Sequence, residues 1–354
     1  MKTANQLELI IPASLWPDAN SRSAVWQGLE LPALARLYGK ARIARQARNT
    51  SLAPSLTGHG FDNYLAQLFG LSQLQHAPQR LAALDGAGED IDSGFWLCAD
   101  PVSLRVDRDH LTPIGEPFLN ITQSEADELI AALNRLYQPD GYRFIAPQAD
   151  RWLVRFPAAP TLTFTPIKQA LGRNLNDVLP TGEGALKFNA LQNEMQMLLY
   201  AHPVNDRRDA AGLPLINSVW LWGGGEYPFP QPPTPQRAIF GRDALVQAMS
   251  GQRDYPTQFD ELSHTDAVVI LDELELHAIY GAGYDWQQTW LRWEKHWFAP
   301  ALAALQSGKL SSLTLTFTDI NEQRVVKKSN LWRFWRRDAL PIHSKKSGEP
   351  HVAD

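Results

Sequence analysis

Residues 216–226 read Ile216-Asn217-Ser218-Val219-Trp220-Leu221-Trp222-Gly223-Gly224-Gly225-Glu226. Apolar and aromatic residues dominate the first seven positions, so the run predicts a buried strand that ends on three glycines. In an open α/β sheet, ligands collect outside the carboxyl ends of the strands, where the next loop begins. A glycine at that point lets a ligand or a second backbone approach closely. Along such a strand Trp220 and Trp222 share one face, and Asn217 points to the other.

Just upstream, chemically capable residues are dense. Gly172-Arg173 ends a short helix with a guanidinium. Gly182-Glu183-Gly184 then turns into a helix whose apolar face is Leu186, Phe188, Leu191, Met195, Leu198 and Leu199. His202-Pro203-Val204-Asn205 follows, with Arg207, Arg208 and Gly212 close behind. Arginine captures phosphate or carboxylate bidentately, and asparagine offers donor and acceptor together. Taken singly, the residues also suit a turn, a helix end or a turn former. Taken as a set, Arg173, His202, Asn205, Arg208, Asn217, Trp220 and Trp222 are expected to converge beside Gly223, Gly224 and Gly225 as a site for a small anion.

Strands and helices alternate along the rest of the chain. Residues 7–11 read as a strand closed by Pro12, and 267–271 as a continuous apolar strand of the kind buried in parallel sheets. Leu313, Leu315 and Phe317 alternate with threonines, the period of a half-buried strand. Helices are expected over 31–38 and 62–69, each closed by a glycine, Gly39 and Gly70. Thr122-Gln123-Ser124-Glu125 has capping-box spacing ahead of an amphipathic helix. Trp286, Trp290, Trp293 and Trp297 recur at helical spacing as an aromatic stripe for the core. The pattern predicts an α/β fold, a mostly parallel sheet with helices on both faces. It is expected as one domain over residues 1–340, with a smaller α+β insertion around 95–165 and a disordered tail over 341–354.

Composition narrows the function classes. The chain has 354 residues, 44% hydrophobic and 20% charged, with a formal net charge of −5. That balance gives no whole-protein attraction to nucleic acid or to anionic lipid. Cys98 is the single cysteine, set among apolar neighbours, which excludes an intrachain disulfide and favours an inert thiol. No apolar stretch approaches the ~20 residues that span a bilayer, so a cytoplasmic location without a membrane partner is expected. Toward the C-terminus, Trp332, Phe334 and Trp335 stand among arginines and lysines. They are read as a last strand and helix packing their rings, with nucleic-acid contact not expected.

A resemblance enters on the run His202-Pro203-Val204-Asn205-x-x-Arg208-x-x-x-Gly212-x-Pro214-x-x-Asn217 and its continuation through Trp220-Leu221-Trp222-Gly223-Gly224-Gly225. It resembles the archaeal-type cofactor-independent phosphoglycerate mutases of the alkaline phosphatase superfamily. Trp96-Leu97-Cys98-Ala99-Asp100-Pro101-Val102 and residues 193–199 narrow the likeness to bacterial proteins of the regulatory RpfE type. The resemblance implies an alkaline-phosphatase-like fold and, for the mutases, two divalent metals, a serine nucleophile and Asp and His ligands.

The chain departs from that pattern where chemistry is needed. An Asp-Gly ligand turn after the first strand is replaced by Pro12-Ala13. In Gly58-His59-Gly60-Phe61-Asp62-Asn63-Tyr64-Leu65, Phe61 stands for the serine and Leu65 for a histidine. A late Asp-Glu-His motif becomes Asp272-Glu273-Leu274-Glu275-Leu276-His277, with altered spacing. Phenylalanine cannot attack phosphorus, and leucine cannot ligate a metal. A shifted alignment would promote Ser55, Thr57 or His59 instead. The expectation is a protein without catalytic residues, metal or cofactor, which binds a small anionic ligand or a protein partner in a regulatory role. The alternative is a metal-dependent phosphotransferase drawing ligands from Asp62, Asp100, Asp272, Glu273, Glu275 and His277.

Overall fold

The computed structural model describes residues 5–44, 59–84, 91–107, 109–228, 235–251, 253–262 and 266–341. The readings placed on Ser55, Thr57, the His59 side chain and the tail 342–354 lie outside the described residues. The chain divides into two compact units, one of Met1–Ser72 with Pro233–Asp354 and one of Gln73–Pro232. The 95–165 stretch read as an insertion falls within the second.

The first unit is built on a six-stranded sheet in the order Ala238–Phe240, Asp266–Ile270, Gln6–Ile11, Ser312–Phe317, Glu322–Lys327, Arg42–Ala44. The first four strands run parallel, and the last two are antiparallel additions. Alternation puts Leu7, Leu9 and Ile11 on one face, beside Ala267, Val269, Leu313, Leu315 and Phe317. That face meets Trp286, Trp290, Trp293 and Trp297, each at most 2% exposed. The tryptophan stripe therefore packs inward as its spacing predicts. Its rings meet edge to face, for instance Trp286 and Trp290 at 5.7 Å and 73°.

The helix that carries the stripe, Gly283–Trp293, passes into a π-helical turn over Glu294–Phe298. Glu294 on that turn accepts the backbone N–H groups of Ala33 (2.5 Å) and Leu34 (3.1 Å), capping the helix Pro32–Lys40 from a distant part of the chain. That helix runs through Gly39 instead of stopping there. A Cβ at Gly39 would lie 2.3 Å from the Arg337 carbonyl oxygen, so the glycine admits the C-terminal segment. The C-terminal rings also differ from expectation: Trp332, Phe334 and Trp335 are 78%, 87% and 68% exposed. The chain after Glu322–Lys327 forms only a short 3-10 turn, Lys328–Trp332, too short to bury a second face.

The second unit holds an antiparallel five-stranded sheet. The long strand Gly94–Asp107 pairs with His110–Ile114, with Arg151–Arg155 and with Ser218–Tyr227, and Arg143–Gln148 borders Arg151–Arg155. Val219 and Leu221 turn to a core shared with the helices Gln123–Tyr137, Ala185–Tyr200 and Pro203–Ala210. Thr122 and Glu125 form the capping box that their spacing predicts, with Thr122 N–H donating to Glu125 at 2.8 Å. Cys98 is fully buried. No helix among the described residues is long and apolar enough to cross a membrane.

Candidate functional site

Arg208 is the centre of the motif that began with His202, and it is 1% exposed. Its Nε donates to the Pro214 carbonyl at 2.8 Å, and Nη1 donates to both Glu125 carboxylate oxygens at 3.0 Å. Nη2 donates to the Leu119 carbonyl. Glu125 is the carboxylate of the capping box, so one acid closes a helix and neutralises a buried cation. Burial works against its charge, but the Thr122 N–H and the Arg208 guanidinium outweigh that, and its pKa lies below the ordinary value.

Asn205, one turn earlier, is 2% exposed. Its Nδ2 donates to the carbonyls of Leu199 (2.7 Å) and Ile216 (2.9 Å), while Oδ1 accepts the Ile216 N–H at 2.8 Å. The side chain acts as a piece of ladder between a helix end and the start of a strand. His202 is the N-cap of Pro203–Ala210, and its Nδ1 accepts the Val204 N–H at 3.3 Å. Desolvation holds its pKa below the ordinary 6.5.

The remaining residues of the expected site are spread out. Asn217 exchanges two hydrogen bonds with the Leu104 backbone, at 2.7 and 3.0 Å. Trp220 donates its indole N–H to the Thr165 carbonyl at 2.8 Å. Arg173 is exposed on the turn after Ile167–Ala170. Asn205 and Arg208 are therefore brought together around one helix, whereas Asn217 and Trp220 each serve another part of the unit and Arg173 stands exposed. The polar side-chain atoms of Asn205, Arg208, Asn217 and Trp220 are occupied by backbone and by Glu125.

The triple glycine also has a packing role. The strand does not end there but continues to Tyr227. Trp96 pairs with Gly225 and Cys98 with Trp222, so Gly223 and Gly224 together oppose Leu97 in a β-bulge, with Gly223 left-handed at φ 61°. A Cβ on Gly223 would lie 2.8 Å from His76 Cβ, and one on Gly225 would meet Gln75 and Pro78. The glycines let the helix His76–Leu84 sit against the strand.

Beside them lies a cluster that joins Asp100 and Trp222, both named from the sequence, to two residues that were not, Arg80 and His76. Arg80 grips Asp100 through both terminal nitrogens, at 2.7 and 3.2 Å, and Trp222 donates its indole N–H to the same carboxylate at 2.8 Å. The His76 ring packs on Trp222 at 4.4 Å. The available signal was an aspartate inside the apolar run 96–102, facing an i, i+4 His/Arg pair on a helix.

In the first unit the carboxyl ends of the parallel strands form the other place where a site is expected. After the first strand, Ala13 holds a left-handed φ of 51°, the conformation that glycine adopts most easily. Ser14 Oγ and Leu15 N–H both donate to Asp319 at 2.7 Å. Desolvation of its carboxyl group pushes the Asp319 pKa up, although the residue as a whole is exposed. After Asp266–Ile270, Asp272 is the N-cap of Glu273–Ile279, and Glu273 is paired with Arg242 (2.7 Å) and with Arg292. Phe61 and Leu65 are 6% and 2% exposed within the helix His59–Leu68. Among the described residues no three His, Cys, Asp or Glu side chains gather as metal donors. The donor set at Asp62, Asp272 and His277 does not fit a two-metal centre.

A second missed residue is Glu8, an acid inside an otherwise apolar strand and 5% exposed. It accepts from Thr316 Oγ1 at 2.7 Å, from Arg237 at 2.8 Å and from the Tyr64 hydroxyl. Gln323 closes the network at 3.3 Å. Alternation places it opposite the tryptophan face.

No protein-family model matches the chain. A Geobacter sulfurreducens protein named a probable 2,3-bisphosphoglycerate-independent phosphoglycerate mutase is 31% identical over 148 residues, 40% of this chain and 37% of that protein. A 2,3-bisphosphoglycerate-independent phosphoglycerate mutase of Methanothrix thermoacetophila is 30% identical over 132 residues, 37% of this chain and 32% of the enzyme. The solved cofactor-independent phosphoglycerate mutase of Thermoplasma acidophilum overlays 92% of this chain and 89% of its own, at 14% identity and a TM-score of 0.37. The chain thus spans about a third of the length of these curated relatives, and over that part its sequence is similar to theirs.

Proposed function

We propose that the chain is a phosphoglycerate-mutase-like protein of the RpfE type, with an alkaline-phosphatase-like fold, that has given up phosphoryl transfer. It acts in a regulatory role by binding a small anionic molecule or a protein partner. The observation that carries this reading is the burial of Phe61 and Leu65. At the place where the resemblance puts a nucleophile and a metal ligand, the chain has two side chains packed into the apolar face of a helix. Neither can attack phosphorus or bind a cation.

The first strand points the same way. Ala13 keeps the left-handed turn that an Asp-Gly pair would make, with Pro12 in place of the carboxylate. Glu273, in the late acidic cluster, is committed to two guanidinium groups. Under this reading the motif from His202 to Gly225 is retained as scaffold, because its polar atoms hold helix ends and strands together.

Metal content tests the reading. After extensive dialysis the protein is expected to carry well under one equivalent of manganese, zinc or magnesium. Stoichiometric retained metal would favour the phosphotransferase alternative.

A further inference from the structure

The C-terminal segment of the first unit presents three large rings to water from a backbone that is held fast. Ala339 N–H donates to the Ala35 carbonyl at 3.0 Å, Arg336 donates to the Ala41 carbonyl, and Lys40 donates to the Arg336 carbonyl. Gly39 lets residues 337–339 lie directly on the helix Pro32–Lys40. At the other end Lys327 N–H donates to Asn330 Oδ1 at 2.9 Å, and Leu331 is buried. Between these anchors Trp332, Phe334 and Trp335 are 78%, 87% and 68% exposed. A fixed loop that holds its largest apolar side chains in water is a binding surface by the usual physical criterion, since monomer surfaces seldom gather such rings.

Charge identifies what the surface fits. From Arg324 to Pro341 there are six arginines and lysines and one acid, Asp338, in a chain whose net charge is −5. At physiological salt a surface ~8 Å away feels this local excess more than the opposite charge of the remainder. Cations interleaved with Trp and Phe suit the boundary between lipid headgroups and acyl chains, where rings enter and guanidiniums stay with the phosphates. Single-stranded nucleic acid is the competing anion, and it needs open ring faces for its bases to stack on. Phe334 and Trp335 stand 85° apart at 5.1 Å, so one ring's edge meets the other's face.

We propose that the Trp332–Trp335 loop docks this protein on anionic lipid bilayers, with Arg333 and Arg337 contacting lipid phosphates. This goes beyond the regulatory reading and departs from the expectation that no membrane is a partner. The rings lie outside the core, so their removal leaves the fold intact.

Co-sedimentation of the full chain with phosphatidylglycerol/phosphatidylcholine vesicles, against pure phosphatidylcholine vesicles, tests it. Binding is expected to the anionic vesicles alone and to weaken with salt. It should fall about tenfold or more in the Trp332→Ala/Phe334→Ala/Trp335→Ala variant at unchanged melting temperature. Each of Arg333→Gln and Arg337→Gln should cost roughly fivefold. Absence of binding at low salt, or binding indifferent to the ring substitutions, would overturn the proposal. So would tighter binding of a single-stranded oligonucleotide that the same triple variant abolishes.

Discussion

Arg208 and Asn205 show how one residue type in one pattern serves two different ends. A guanidinium and an amide in a compact motif are the tools of anion recognition, and they are equally the tools for satisfying buried backbone. The deciding information is burial. Arg208 is 1% exposed with its donors on Pro214, Leu119 and Glu125, and the last two lie more than eighty positions away. Sequence spacing carries no trace of such a contact. Arg208→Ala is therefore expected to cost about 3–5 kcal/mol, the cost of breaking a buried pair, measured by denaturant unfolding. An unchanged midpoint with lost ligand affinity would restore the binding role. His202 gives a pH test. A histidine whose folded pKa is lowered contributes stability that is complete above its ordinary value near 6.5 and is lost as pH falls through the lowered one. The melting temperature should drop between pH 7.5 and 5.5, and His202→Asn, which keeps an N-cap acceptor, should make that drop smaller.

Elements were legible where periodicity carried them. The parallel strands at 7–11, 267–271 and 313–318, the capped helix after Thr122 and the tryptophan helix all stand where their patterns put them. The glycines misled for a physical reason. Gly39 reads as a helix stop and Gly223–Gly225 as a strand end open to a ligand or a second backbone, whereas Gly39 admits the C-terminal segment and the triple glycine admits the helix His76–Leu84. Punctuation and close approach look alike in one dimension. Gly223→Ala carries both a left-handed φ and a 2.8 Å clash with His76, so it should destabilise by roughly 2–4 kcal/mol in thermal or denaturant unfolding. A stable Gly223→Ala protein would mean that the bulge serves a ligand and not the helix His76–Leu84. The α+β insertion expected around 95–165 did not include Ser218–Tyr227, because burial on both faces masks its alternation and makes it read like a parallel strand.

At the scale of the whole chain, each unit keeps a well-formed scaffold, and the proposed loss of phosphoryl transfer rests on Phe61 and Leu65, neither of which can attack phosphorus or bind a cation. Glu8 and Asp100 are buried carboxylates, and these two, like Asp319, are engaged by protein donors. The similarity to cofactor-independent phosphoglycerate mutases covers about two fifths of the chain, so scaffold and chemistry can have separate histories. Two divalent ions need several converging carboxylates and imidazoles to offset four positive charges. Without them phosphoryl transfer loses several kcal/mol of transition-state stabilisation, which is orders of magnitude in rate. The most direct measurement is interconversion of 2- and 3-phosphoglycerate by the dialysed full-length protein with excess manganese restored. The account predicts no turnover above the protein-free control. Turnover that disappears in Asp272→Asn, with the fold intact, would contradict it.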